Sequence, residues 1–398
     1  MSWPMVKLGE LVSVKGGKRL PLGAGYSDIE TPYPYIRVTD FENHSVNTSN
    51  VLFISEDVQQ KIARYTISSE DVYISIAGSI GIVGIVPEEL NGANLTENAA
   101  KLVITDKSTL DKNYLMRFLA TAGQSQLQGQ AKTTSQPKLA LFRIEEVEIP
   151  LPPLAEQKRI AAILDKADAI RRKRQQAIQL ADDFLRAVFL EMFGDPVTNP
   201  KGWEVKPLGS FCTLQGGYAF KSDEFSDEGI PVLKITNVHF EDAIWDDISY
   251  LPEEKLTEKS NFALECGDLV MAMTRPVIQS LNSVKVIEIK ESDIPSLLNQ
   301  RVGRFKGYTN VLNKNFLKYF LYSDYFKTEV EKLCSVALQP NVSSKQIESI
   351  KCCVPDLHVQ EEFSRTVEIV SRMLSKHYSF SKNNMLEALS QKAFSGQL

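Results

Sequence analysis

From Ile160 onward the apolar positions recur in alternating steps of four and three: Ile160, Leu164, Ala167, Arg171, Arg174, Ile178, Ala181, Leu185, Val188 and Met192. Eight of these ten positions are apolar and the spacing is the coiled-coil period, so they predict the seam of one helix. Pro150, Pro152 and Pro153 close off its N-terminal side, and Gly194, Asp195 and Pro196 form a stop signal. About forty residues at roughly 1.5 Å each give a rod of about 60 Å. A rod of that length with an apolar seam requires a partner helix. The chain from about residue 357 to its end supplies one: Phe363, Val367, Val370 and Leu374 keep the seam spacing, His377, Ser381, Asn383 and Asn384 make a polar middle, and Met385, Ala388, Leu389 and Phe394 follow.

Shorter patterns fill the rest. Residues 34–39 alternate as a strand, 72–86 is an apolar run broken by glycines, and 100–104 is a short strand. Residues 110–122 have helical spacing, with Leu115, Phe118 and Leu119 on one side, and 316–326 read the same way. Residues 144–151 and 347–354 read as strands leading straight into the two long helices. The glycines Gly78, Gly81 and Gly84 are not followed by Lys-Ser or Lys-Thr and open no βαβ unit, so they mark a strand–loop–strand turn rather than a phosphate cradle.

Self-similarity reorganises this picture. Trp3, Leu8, Gly9 and Gly16-Gly17 return as Trp203, Leu208, Gly209 and Gly216-Gly217 at an offset of 200. YIRVTD at 35–40 matches VLKITN at 232–237, and LDKNYLMRFL at 110–119 matches LNKNFLKYFL at 312–321. Gln136-Pro137 returns as Gln339-Pro340, Pro152, Leu154 and Gln157 return as Pro355, Leu357 and Gln360, and FLRAV at 184–188 with Phe193 returns as MLEAL at 385–389 with Phe394. These matches, all in one order, mean that the chain is a mixed α and β unit followed by a long helix, repeated once.

Composition narrows the class. At 398 residues, 43% hydrophobic and 24% charged, the chain is an ordinary globular protein with room for two or more domains. The start, MSWPMVKLGELV, lacks the apolar run of a leader, and YISIAGSIGIVGIVP at 73–87 is too short and glycine-rich for a membrane span. Cys212, Cys266, Cys334, Cys352 and Cys353 form no CxxC pair, and His44, His239, His358 and His377 are scattered. Neither a disulfide framework nor a zinc site is expected, which points to a cytoplasmic protein. The net charge of −5 is spread evenly: residues 1–150 carry 14 basic against 17 acidic groups, 151–200 carry 8 against 7, and the remainder 23 against 26. Any affinity for nucleic acid must therefore come from local positive surface and from a partner.

The Trp-x4-Leu-Gly start, the Gly-Gly pair, LPPLAEQKRIAAILDKAD at 151–168, FLRAVFLEMFGDP at 184–196 and the near-duplicate second half together resemble the DNA-specificity subunits of type I restriction-modification systems. The resemblance covers the whole chain. It implies an α+β fold: two tandem, pseudo-two-fold-related α/β target recognition domains (1–152 and 196–355) separated by two long antiparallel coiled-coil helices (153–195 and 356–398). Each domain would read one half of a split sequence in double-stranded DNA. The helices would set the gap and dock two modification subunits, which are adenine methyltransferases, with restriction subunits joining outside. No cofactor is expected on this chain; S-adenosylmethionine would sit on the modification subunits, and ATP and Mg on the restriction subunits. Phage defence is the implied role, without a membrane.

Candidate DNA contacts follow from chemistry and position. In the first repeat they are Lys15, Lys18 and Arg19 around the glycine pair, Arg37 and Thr39 at a strand end, Ser79 in the glycine-rich loop, and Lys132, Thr133, Thr134, Ser135, Gln136 and Lys138 in GQAKTTSQPK. In the second they are Tyr218, Lys221, Lys234, Thr236 and Asn237, then Gln339, Asn341, Ser343, Ser344 and Lys345. Arg275 and the Asn299, Gln300, Arg301 cluster find no counterpart in the first repeat and so are expected to carry a different specificity. Arg171 and Arg174 fall on the seam, and face either the polar middle of the second helix or DNA between the half-sites.

Two other classes compete. An amino-methyltransferase needs an Asp/Asn-Pro-Pro-aromatic motif, but Pro152-Pro153 is flanked by leucines, and no carboxylate–lysine nuclease cluster stands out. The chain is accordingly expected to be non-catalytic. A coiled-coil protein scaffold that binds no DNA fits the same charge.

Overall fold

Five helices carry the framework: α1 (Lys112–Ala120), α2 (Leu154–Phe193), α3 (Lys314–Leu321), α4 (Leu357–His377) and α5 (Asn384–Phe394). The computed structural model describes residues 3–130, 138–281, 283–334, 340–377 and 384–398. The architecture is α+β, in two units: residues 1–176 with 378–398, and residues 177–377. The 40-residue α2 runs out of the first unit and into the second.

Three sheets recur in both units, and each unit adds a two-strand pair of its own, Phe41–Glu42 with Ser45–Val46 and Val277–Ile278 with Ser283–Val284. In the first, Val12–Gly16, Ala99–Ile104, Val72–Ser75 and Val83–Ile85 lie side by side, all antiparallel. In the second, Thr213–Gly216, Val302–Lys306, Leu269–Ala272 and Val286–Glu288 repeat that order. A three-stranded sheet, with one parallel pair, centres on Pro34–Ile36 in the first unit and on Ile230–Leu233 in the second. A two-strand ribbon ties the start of each unit to the strand before its long helix: Met5–Lys7 with Glu148–Pro150, and Glu204–Pro207 with Lys351–Val354.

Local chemistry explains the helix starts. Asp111 accepts the N–H groups of Asn113 and Tyr114, both at 3.0 Å, and so caps α1. Asn313 caps α3 from the equivalent place. The long helices then complete the cores. In the first unit Ile160 and Leu164 of α2 and Ala393 of α5 join Leu102, Leu115 and Phe118, and the Phe394 ring packs against Tyr114 and Phe118 at 5.4 and 5.2 Å. In the second, Phe189 and Phe193 of α2 meet Phe363 of α4 at 5.6 and 5.4 Å and Phe316 of α3 at 5.5 and 4.9 Å. Each such ring contributes about 2–3 kcal/mol by leaving water.

Several boundaries differ from the sequence expectation. The strand at 34–39 ends at Ile36, because Arg37 and Asp40 bond to each other and turn the chain into a 3-10 helix at Val38–Asp40. Ile144 and Ile347 sit in short helices, Leu141–Glu145 and Ser344–Ser349, and only then do the ribbon strands begin. The helix expected over 316–326 breaks after Leu321, where Ser323 caps a new helix, Asp324–Leu333. The run at 72–86 is a β-hairpin. The second long helix is described as α4 and α5, with 378–383 outside the described residues.

Candidate nucleic-acid interface

In both units the second glycine of the Gly-Gly pair lets two backbones close up. Gly17 donates its N–H to the Ala99 carbonyl at 2.9 Å, and Gly217 does so to Val302 at 3.0 Å. A Cβ on Gly17 would stand 2.1 Å from the Thr96 carbonyl oxygen, and one on Gly217 2.3 Å from that of Asn299. Around the first pair, Lys15, Lys18 and Arg19 are exposed. Lys15 lines a cleft of about 260 Å³ with Arg64, Tyr65, Thr66 and Lys101. Lys18 and Arg64 place their cationic heads 5.8 and 5.1 Å from the centre of the Tyr65 ring. Cations around an aromatic face suit a sugar-phosphate chain with a base beside it. Arg64 and Lys101 carry no local sequence signal; the Lys15–Lys101 strand pairing and the Thr66–Asn94 bridge bring them there. Arg19 instead donates to Glu97 at 2.7 Å.

In the second unit the same place carries fewer cations. Gln215, Asn261 and Arg304 stand where Lys15, Arg64 and Lys101 stand in the first, and Arg304 commits its fork to Asp268, Gln215 and the carbonyls of Ala263 and Asn261. Tyr218 packs against Phe220 and Phe262 at 5.0 and 5.4 Å with Lys259 Nζ 4.0 Å above its ring. Lys221 is exposed.

The strand-end candidates divide. Arg37 is held by both Asp40 oxygens, at 2.6 and 3.1 Å, and Asp40 is buried. Asn237 is likewise buried, accepting the Lys234 N–H at 3.0 Å and donating to the carbonyls of Ile244 and Asp247. Both side chains hold a turn. Lys234 donates to Ser249 at 2.8 Å, while Thr39 and Thr236 are exposed.

Lys138, which bridges to Ala77, and Ser79, two residues after Ala77, are exposed; Lys132, Thr133, Thr134, Ser135 and Gln136 lie outside the described residues, as does Gln339. In the second unit the Thr274–Asn341 bridge occupies the same position, with the Thr274 hydroxyl donating to Asn341 at 2.6 Å. Ser343 caps the helix Ser344–Ser349 and Lys345 is exposed on it. Arg275, Gln300 and Arg301 are exposed, and they do have counterparts. The Met273 N–H meets the Arg301 carbonyl at 2.8 Å as the Ile76 N–H meets that of Asn98 at 2.8 Å. Gln300 and Arg301 therefore stand in the places of Glu97 and Asn98, and Arg275 in that of Gly78. The backbone is shared where the side chains are not, which hid the match in the sequence.

Along α2, Ile160, Leu164, Ala167 and Leu185 are buried, Val188 and Ala181 are partly covered, and Ile178 is 47% exposed. On α4, Phe363 and Val367 are buried and Val370 and Leu374 partly covered. Arg171 donates to Asp168 at 2.9 Å, and Arg174 is half-buried. Asp168 also takes the buried Arg117 of α1 at 3.1 Å. Burial alone would raise the Asp168 carboxyl; hydrogen bonds from Arg171 and Arg117 overcome this and hold it below its ordinary value. In the second unit Arg186 of α2 pairs with Asp182 at 2.6 Å and Glu241 at 3.4 Å. Burial, then the Asp182 charge, pushes the Glu241 carboxyl up. No sequence signal distinguished these pairs. Among the described residues no His, Cys, Asp and Glu group is placed to hold a metal ion, and no helix is long and apolar enough to cross a membrane.

Comparison with known proteins gives one answer. The type I restriction modification DNA specificity domain matches residues 2–180 and again residues 200–384. The type I restriction enzyme MjaVIII specificity subunit of Methanocaldococcus jannaschii is 29% identical over 390 residues, covering 94% of this chain and 87% of its own. The EcoAI specificity subunit of Escherichia coli is 35% identical over 153 residues, 38% of this chain and 26% of its own. The crystal structure of the type I restriction-modification S subunit from M. genitalium has the same fold, with a TM-score of 0.57 at 17% identity over 99% of this chain and 96% of that one.

Proposed function

The chain belongs to the type I restriction-modification DNA specificity family, and from that premise we propose that it is the sequence-reading subunit of a methyltransferase complex in the cytoplasm. Each unit takes one half of a two-part target in double-stranded DNA. The chain carries no catalytic group and no cofactor of its own. Two adenine methyltransferase subunits dock on it and bring S-adenosylmethionine, and restriction subunits add ATP and Mg.

The observation that supports this reading best is the duplication: the family's domain matches each half separately, and both halves keep the same sheets, glycine approach and helix start while differing in exposed charge. A shared frame with unlike exposed residues suits two readers of unlike sequences. Thr39, Ser79, Lys138, Lys15, Lys18 and Arg64 are the contacts favoured in the first unit, and Lys221, Thr236, Arg275, Gln300, Arg301 and Lys345 in the second.

Single-molecule sequencing of host DNA for N6-methyladenine, with and without the chain, tests the proposal. A two-part motif that disappears on deletion is the expected result. An unchanged methylation pattern overturns it and leaves a protein scaffold.

A further inference from the structure

The turn after Ser75 in the first unit and the longer turn after Ala272 in the second start with the same backbone bonds and the same left-handed residue, but with different side chains. In the first unit Gly78 has φ +74°, and a Cβ built there meets nothing within 4 Å. In the second unit the equivalent residue is Arg275, with φ +48°. The turn thus needs a left-handed residue, which glycine supplies without cost and an arginine supplies only against steric strain. A strained non-glycine residue kept at an exposed position indicates that its side chain is used.

Arg301 lies opposite the residue two before Arg275, the Met273 N–H reaching the Arg301 carbonyl at 2.8 Å. Both side chains are exposed, and among the described residues neither has a hydrogen bond or ion pair. Arg304, two strand positions into the same sheet, shows the contrast, for its fork is filled by Asp268, Gln215 and two carbonyls. The first unit places Gly78 and Asn98 at these positions, and its nearby Arg19 is paired with Glu97. An unpaired guanidinium fork has five donors and no acceptor, and the base edge that matches it is guanine O6 and N7 in the major groove.

Resting on the specificity-subunit reading above, we propose that Arg275, seconded by Arg301, reads guanine in the half-site of the second unit, and that Gly78 leaves the equivalent position of the first half-site unread by this turn.

The test uses the full chain assembled with its methyltransferase partner, S-adenosylmethionine and a plasmid library, read out by sequencing of methylated sites, for wild type, Arg275→Gly and Arg275→Lys. The expected result for Arg275→Gly is a motif in which one guanine of one half becomes degenerate, or methylation of guanine-bearing sites that falls about 10- to 100-fold. Its thermal midpoint should be unchanged or higher, because the glycine relieves the strain. Arg275→Lys, which keeps the charge but loses the fork, should relax the same position. A wild-type motif retained base for base and rate for rate by Arg275→Gly overturns the inference alone. A wild-type complex that methylates no two-part motif overturns the function reading and this inference with it.

Discussion

Gln157 accepts the Asp111 N–H at 2.9 Å through Oε1, and its Nε2 donates to the carbonyls of Thr109 and Pro152 at 2.8 and 2.9 Å. Asp111 is the cap of α1, so this one side chain fastens the first turn of α2 to the start of α1. In the second unit Gln360 makes the same three bonds, to the Asn313 N–H at 2.8 Å and to the carbonyls of Val311 and Pro355 at 2.9 and 2.6 Å. Both glutamines are fully buried. Each long helix is thereby tied at its start to the unit that precedes it.

Replacing Gln157 with Leu leaves two carbonyls and one N–H without partners in a dry place. The expected loss is about 3 kcal/mol, seen as a lower urea midpoint, and Gln360→Leu should cost a similar amount. A midpoint unchanged in both variants would show that water or the backbone satisfies these groups.

The glycine pairs should respond unequally. Gly17→Ala and Gly217→Ala drive a methyl group into a carbonyl oxygen and should cost about 3 kcal/mol or more. Gly16→Ala meets only Leu141 Cδ1, at 3.6 Å, and Gly216→Ala nothing within 4 Å. These two should be neutral or stabilising by up to about 1 kcal/mol. Thermal melts of the four variants decide whether close approach is what each second glycine serves.

Arg117→Met removes one partner of the buried Asp168. Since Arg171 and Arg172 remain beside it at 2.9 and 3.5 Å, the loss should be about 2–3 kcal/mol, at or below the low end for a broken buried pair. The folded carboxyl titrates below its unfolded value, so its contribution is present above the ordinary aspartate range near pH 4 and is lost as pH falls through the depressed value. Urea midpoints from pH 7 down to pH 3 should fall less steeply in the variant than in wild type.

Glu241 has the opposite sign. Its folded carboxyl titrates above the ordinary value, so its stabilising contribution is complete below the glutamate range and is lost as pH rises through the raised value. Glu241→Gln should therefore raise the urea midpoint at pH 7 and change it little at pH 4. A lower midpoint at pH 7 would mean that the pair with Arg186 outweighs the burial of the charge.

Four residues inserted in the exposed stretch of α2 between Arg174 and Ile178 should change the number of unread bases in the methylated motif and leave both half-sites as they were. A motif altered in its bases, or unaltered in its gap, would show that α2 does not set the spacing.

The sequence by itself determined the duplication, the length of α2 between its proline and glycine boundaries, the apolar hairpin at 72–86 and the helical spacing at 110–122. These are written in local spacing, in residues that break helices, and in matches kept between the halves. The short helices holding Ile144 and Ile347 were not legible, because core packing of both isoleucines, and in the second unit the Ser343 cap, outweigh the β-like pattern there. Nor was the role of Gly17, whose obstacle is a carbonyl about eighty residues away, or the cleft that gathers Lys15, Arg64 and Lys101. The pairing of Arg275 with Gly78 lay deepest. Sequence comparison weighs side chains, and these two share only a left-handed backbone conformation next to equivalent bridges, Ala77–Lys138 and Thr274–Asn341.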